Sequence, residues 1–86
     1  MTVKINYTNI NKIAKVVLFH RKLSGLSRNE LADIAGVGKT VIFDIEHGKE
    51  TVKLSTLLKV MSALNIGFII DSPVIKQFEE TINEES

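Results

Sequence analysis

Four side chains near the middle of the chain, Lys39, Thr40, Val41 and Asp44, have the chemistry to read polar edges and a methyl group. A lysine donates to guanine O6 or N7, and a threonine hydroxyl bonds a base or a phosphate. A valine packs on a thymine methyl, and an aspartate accepts from cytosine N4. They share one side of a short helical segment, opposite Ile42 and Ile45, whose i, i+3 spacing marks the inward face. Asp44 has a second use: it could hold Lys39 or Thr40 in place, or repel wrong sites. Arg28 and Lys39 each fall in the first turn of a short helix, where the positive end of the helix dipole disfavours a cation by about 0.3–1 kcal/mol. A phosphate placed there would be attracted by the helix amides and the cation together, so these unfavourable local choices point to an anionic polymer. Lys49 and Lys53, in the loop that follows, are further candidates for phosphate contact, as is the helix start at Gly38.

Other chemistries fail on spacing. Gly38-Lys39-Thr40 imitates the end of a nucleotide-binding P-loop, but Asp33 stands where its first glycine is needed and no strand precedes the segment. His20 and His47 are the only histidines and the chain has no cysteine, so no metal site is expected; both read as surface residues at helix ends. No serine or acid is spaced as a nucleophile and base. Neither enzyme activity nor a cofactor is expected.

The elements that must position these residues follow from local signals. Val3, Ile5 and Tyr7 alternate with polar residues as in a short strand. Ile10, Ile13, Ala14 and Val17 define a helical face over about 10–23, with Thr8 or Asn9 as its cap. Ser27-Arg28-Asn29-Glu30 is a capping box that starts a second helix at Arg28. Leu31, Ile34 and Ala35 are its apolar face, and Gly36 closes it in the left-handed conformation. A third helix runs from Lys39 to about His47 and stops at Gly48. Ser55 caps a fourth, with Leu57, Leu58, Met61 and Leu64 on one face, ending near Asn65. Ile66, Phe68 and Ile70 then alternate with Gly67 and Ile69 up to Pro73, which reads as a strand that must find a partner. Ile75, Phe78 and Ile82 suggest an amphipathic tail helix. The organisation expected is an arm or strand over 1–9, a helical domain over 10–66, a strand over 67–72 and a tail over 73–86.

The chain has 86 residues, 44% apolar and 24% charged, the composition of one small folded domain rather than a disordered or fibrous chain. A core this small benefits from reinforcement; without cysteine, oligomerisation is the available route. Net charge is only +1, but it is unevenly spread. Met1 to Ser72 carries ten Lys and Arg against six Asp and Glu, a net of +4; Pro73 to Ser86 carries one Lys against four Glu, a net of −3. The body suits a polyanion. The tail suits a protein surface that is basic or apolar, or is solvated. No apolar run reaches the roughly 18 residues of a membrane span and the start lacks a signal-peptide pattern, so a cytoplasmic location is expected.

The segment LSRNELADIAGVGKTVIFDIEHGK, followed by LSTLLKVMSALNI, resembles the Cro and phage-repressor type of helix-turn-helix, the XRE family. Leu26, Glu30, Leu31, Ala32, Gly36, Val37, Ile42, Glu46 and Gly48 stand where that pattern has like residues. The resemblance covers about Ile10 to Ile66. It implies a mainly α, lambda-repressor-like bundle, here with a short C-terminal β-strand pairing across a dimer through Ile66, Phe68, Ile69 and Ile70. It also implies double-stranded DNA with an inverted repeat as partner, with Lys39, Thr40, Val41 and Asp44 at bases and Arg28 at phosphate. Arg21 and Glu46 match a partly buried ion pair of the family. Gly38 departs from the usual Ser or Thr cap, and Phe43 from a small polar residue; Phe43 is expected beneath the tail or a partner rather than on DNA. The strand and tail resemble those of HipB-like antitoxins, which implies repression of the chain's own operon and binding of a HipA-like kinase toxin. A phage or restriction-system regulator, or a protein-interaction module with little DNA binding, are the alternatives.

Overall fold

The computed structural model describes the backbone of residues 2–85 and the side chains of residues 2–82, so Met1 and Ser86, at the ends of the expected arm and tail, lie outside the described residues. Five helices follow one another: α1 (Lys12–Leu23), α2 (Arg28–Ala35), α3 (Lys39–Glu46), α4 (Leu54–Ala63) and α5 (Ile75–Glu85). α2 lies against α3 and α4, and α1 against α3. Val17 of α1, Leu31 and Ala32 of α2, Ile42 and Ile45 of α3, and Val60, Met61 and Leu64 at α4 close into one buried core.

Local chemistry sets most of the helix ends. The Ser27 hydroxyl accepts from the Glu30 N–H at 3.0 Å and Glu30 Oε1 accepts from the Ser27 N–H at 2.9 Å, so the capping box is complete. The hydrogen bond from the Ser27 N–H, with a smaller contribution from the Ser27 side chain, holds the Glu30 carboxyl below its ordinary range. α2 closes at Gly36 with φ of 72°, and the Val37 N–H reaches back to the Ala32 carbonyl at 3.0 Å. α4 ends on Asn65, whose φ of 59° lets the Ile66 N–H bond the Met61 carbonyl at 2.8 Å. That turn folds Ile66 back against the core. An asparagine tolerates this conformation because its short polar side chain compensates part of the Cβ cost.

Several expectations are corrected. α1 starts at Lys12, two residues later than Ile10, because residues 6–9 close on themselves: Asn9 Oδ1 accepts from the Asn6 N–H at 2.7 Å. α4 is capped at Lys53, which leaves Ser55 inside the first turn rather than at the cap. Ile34 is 60% exposed while Ala32 is buried, so α2 presents Leu31 and Ala32 to the core. Among the described residues there is no β-strand, neither over Val3–Tyr7 nor over 67–72. A strand exists by hydrogen bonding to a neighbour, and among the described residues neither stretch has a ladder partner.

One polar contact joins three helices. Glu46, at the end of α3, is buried, and Arg21 of α1 meets it twice, Nε to Oε2 at 2.6 Å and Nη2 to Oε1 at 3.0 Å. Arg28 of α2 donates its Nε to the same Oε1 at 3.0 Å. Arg21 Nη1 also donates to the Leu26 carbonyl at 2.8 Å, fixing the turn between α1 and α2. Burial alone would push the Glu46 carboxyl up, but the hydrogen bonds from Arg21 and Arg28 and their charges outweigh it and hold the carboxyl below its ordinary range.

Replacing Glu46→Ala strands the buried Arg21 guanidinium, and the expected cost is about 3–5 kcal/mol, read as the loss of most of the denaturant resistance of a small domain. The pH dependence has a definite sign. Because the folded pKa is lowered, the Glu46 contribution is complete above the unfolded carboxylate pKa and is lost as pH falls through the folded value. Stability of the native chain should therefore drop more steeply with acid than that of Glu46→Gln. Parallel acid profiles for the two would contradict the assignment.

Candidate nucleic-acid interface

α3 is eight residues long and its surface divides sharply. Successive residues turn by about 100°, which places Ile42, Ile45 and Glu46 on the buried side and Thr40, Phe43, Asp44 and His47 on the other. Lys39, Thr40, Phe43 and His47 are exposed, and Asp44 is half-buried. Val41 falls between the faces and packs partly against the core, which corrects its placement among the outward residues. Its turn angle is nearer to Ile45 than to Thr40's side, so part of the side chain meets apolar neighbours and part stays accessible.

The starts of α2 and α3 lie side by side and enclose a shallow depression of about 260 Å³, lined by Arg28, Asn29, Lys39, Thr40 and Phe43. No acidic residue stands in the first turn of α3, and its cap Gly38 is exposed and makes no side-chain hydrogen bond. The free amides of that turn and the Lys39 ammonium thus present one positive surface. Arg28 is more constrained than a solvated phosphate contact would be. Its Nε is committed to Glu46, and its guanidinium carbon sits 5.5 Å from the centre of the Phe43 ring.

The remaining candidates do not line this depression. Asp44 Oδ2 pairs with Lys49 Nζ at 3.4 Å rather than with Lys39 or Thr40, so the loop lysine is partly neutralised. Lys53 is exposed at the cap of α4. Phe68, Ile69 and Ile70 are exposed, at 52%, 73% and 70%, whereas Ile66 is drawn into the core and does not share their surface.

Three residues of the interface escaped the sequence reading: Asn29, Phe43 and His47. Phe43 lies neither beneath the tail nor inward. Its ring stacks on His47 with centroids 3.8 Å apart and an interplanar angle of 21°. The His47 Nδ1 donates to the Phe43 carbonyl at 2.7 Å, which leaves Nε2 facing outward from the ring's other edge. Counting the helical turn from Ile42 and Ile45 would have found both. Among the described residues no group of three His, Cys, Asp or Glu side chains is placed to hold a metal ion, and no helix is long and apolar enough to cross a membrane.

Known proteins resemble this chain in sequence and in fold. Residues 20–69 match the family described as Helix-turn-helix. The uncharacterized HTH-type transcriptional regulator y4mF of Sinorhizobium fredii is 38% identical over 61 residues, covering 71% of this chain and 80% of that protein. Control protein C.SmaI of Serratia marcescens is 38% identical over 53 residues, covering 62% of this chain and 63% of that protein. Among solved structures, a chain of the HipA-HipB-O2-O3 complex superposes with a TM-score of 0.72 at 21% identity, covering 84% of this chain and 99% of that one. A chain of the HipB-O4 20mer complex gives the same values. At that identity the likeness speaks for the fold. With its own capping box, αL glycine and exposed α3 start in the matching segment, the chain belongs to the helix-turn-helix family of the XRE/Cro type, non-enzymatic DNA-binding regulators of transcription.

Proposed function

We propose that this protein is a sequence-specific repressor that acts as a dimer on an inverted repeat and controls its own toxin–antitoxin operon in the cytoplasm. The observation that carries the sequence-specific part is the joint depression at the starts of α2 and α3, where Arg28, Lys39 and Thr40 converge without an acidic neighbour in the α3 first turn. A recognition helix of this length reaches only a few base pairs; two copies related by a twofold axis read half-sites about 34 Å apart. Lys39 and Thr40 read bases, with Asp44 beside them, while the Gly38 amide end, Arg28, Lys49 and Lys53 serve phosphates.

The dimer reading rests on Phe68, Ile69 and Ile70, three large apolar side chains exposed in a segment whose backbone has no ladder partner. An extended pairing with the same segment of a second copy would satisfy both deficits at once. The antitoxin reading rests on the fold shared with HipB chains and on α5, whose Phe78 and Ile82 remain exposed beside Glu79 and Glu80. Such a surface suits a HipA-like kinase toxin carrying a basic or apolar groove. The likeness to control protein C.SmaI favours a second reading, a restriction-system regulator that uses the same DNA face without a toxin.

Selection of bound duplexes from a random pool should enrich an inverted repeat with half-site centres one helical turn apart; enrichment of single half-sites would contradict the dimeric mode. On the selected duplex, Lys39→Ala should weaken binding about tenfold or more while leaving the thermal transition unchanged. Unchanged affinity would remove Lys39 from the interface. Binding should weaken steeply with added salt as phosphate contacts release counterions. Removing residues 68–86 should leave a monomer in sedimentation equilibrium, and a persistent dimer would place the interface elsewhere.

A further inference from the structure

Phe43 is the feature of the DNA-facing surface that neither the fold nor phosphate binding accounts for. It is 47% exposed on a side of α3 otherwise occupied by polar residues, and the core closes without it. Leaving that much of a phenyl ring in water is unfavourable, and the cost is recovered when an apolar group covers it. The ring is also held in place. His47 stacks on it, and the Arg28 guanidinium, itself fixed by the buried Glu46 carboxylate, lies over it at 5.5 Å. A side chain arranged this way is prepared for a partner and loses little freedom on meeting it.

The surroundings narrow the partner. In the depression that Phe43 walls, the polar groups nearest along α3 are the Lys39 ammonium and the Thr40 hydroxyl. Hydrogen-bond donors beside an apolar wall match one major-groove edge among the four bases. Thymine displays the O4 acceptor next to the C5 methyl, whereas cytosine displays an N4–H donor and no methyl, and the purines display no methyl at all. Val41, whose type suits a methyl contact, packs partly against the core and leaves that role open.

We propose that the depression takes the major-groove edge of a thymine, with the 5-methyl against the Phe43 ring and O4 toward Lys39 and Thr40, so that Phe43 is a specificity-determining residue. The proposal rests on the DNA-binding reading and adds the base class that this part of the surface selects. Arg28 and Glu46 act on it indirectly as positioning residues: they hold the ring at the wall of the depression.

The test uses the full chain and a duplex selected by it from a random pool. Each thymine of a half-site is replaced in turn by deoxyuridine, which keeps O4 and removes only the methyl. Affinities are measured by fluorescence anisotropy at fixed salt. At one thymine, the replacement should weaken binding about three- to fivefold per half-site, the scale of one buried methyl group. Placing 5-methylcytosine there should also bind more weakly than thymine, because the methyl returns with a donor in place of O4. Phe43→Ala should bind thymine and deoxyuridine duplexes equally, whereas Phe43→Leu, which keeps an apolar wall, should retain part of the preference. A merely structural role for Phe43 would lower affinity for both duplexes and keep their ratio. A flat deoxyuridine scan on a tightly bound duplex, or a ratio that survives in Phe43→Ala, would overturn the thymine assignment alone. Failure to select any duplex would overturn it together with the DNA-binding reading. Even if Phe43→Ala folds poorly, a flat scan of the native chain overturns the assignment, and Phe43→Leu, which keeps an apolar side chain of similar size, reads the change in the ratio.

Discussion

The buried carboxylate of Glu46 is the point through which the arrangement of α1, α2 and α3 is fixed. Each helix contributes one partner, and both carboxylate oxygens are used. Helices of eight residues are too short to be stable alone in water, so α2 and α3 take their positions from packing and from this contact. Ile42 and Ile45 supply the apolar half of the anchorage, but apolar contacts tolerate some sliding and rotation. Two guanidinium groups bonding one carboxylate do not, because the geometry of each pair is directional. A buried charge retained at this position is therefore better understood as setting orientation than as adding stability, since its desolvation offsets much of the attraction.

That orientation is what the DNA face needs. Arg28 joins the buried contact through Nε and the exposed surface through its guanidinium over the Phe43 ring, so the core and the outward face of α3 share one side chain. The surface is assembled from helix starts rather than from a cluster of basic residues. Its positive character comes from the unsatisfied amides at the start of α3 together with Lys39 and Arg28, with Lys49 partly cancelled by Asp44. A body charge of only +4 is consistent with such a focused surface, in which a few well-placed groups carry the positive charge and neutral and aromatic groups lie between them. The acidic residues Glu79 and Glu80 are separated from this face in sequence and lie on α5, none of whose described side chains belongs to the buried core.

What the sequence reveals most clearly is whatever depends on a few neighbouring residues. Ser27 and Glu30 announce a helix start because the capping box needs only the four residues it occupies, and Gly36 announces the end because the left-handed turn is a property of that residue. The inward direction of Ile42 and Ile45 follows from spacing alone. The faces of short helices are harder to assign, because a residue 100° from the centre of a face belongs to either side until its neighbours are known. Ile34 fell on the other side and Val41 between the two for that reason, and Phe43 turned outward although its type suggests burial. Contacts between distant segments leave the weakest trace: nothing near Arg28 indicates that its partner is Glu46, eighteen residues away. The segment over 66–70 shows a further limit. Its alternation is real, but Ile66 packs against the core at the end of α4, and among the described residues no strand pairs with the rest.

The central claim is that the outward side of α3, oriented from beneath by Glu46, is the surface that meets DNA. Mapping amide chemical-shift changes by NMR while a selected duplex is titrated into the isotopically labelled protein tests it most directly. The account predicts the largest changes at Arg28, Asn29, Lys39, Thr40, Phe43 and His47, with little change along the exposed side of α5. Changes concentrated on α5, or on the groove of Ile34, Leu58 and Ser62 between α2 and α4, with α3 unmoved, would contradict it.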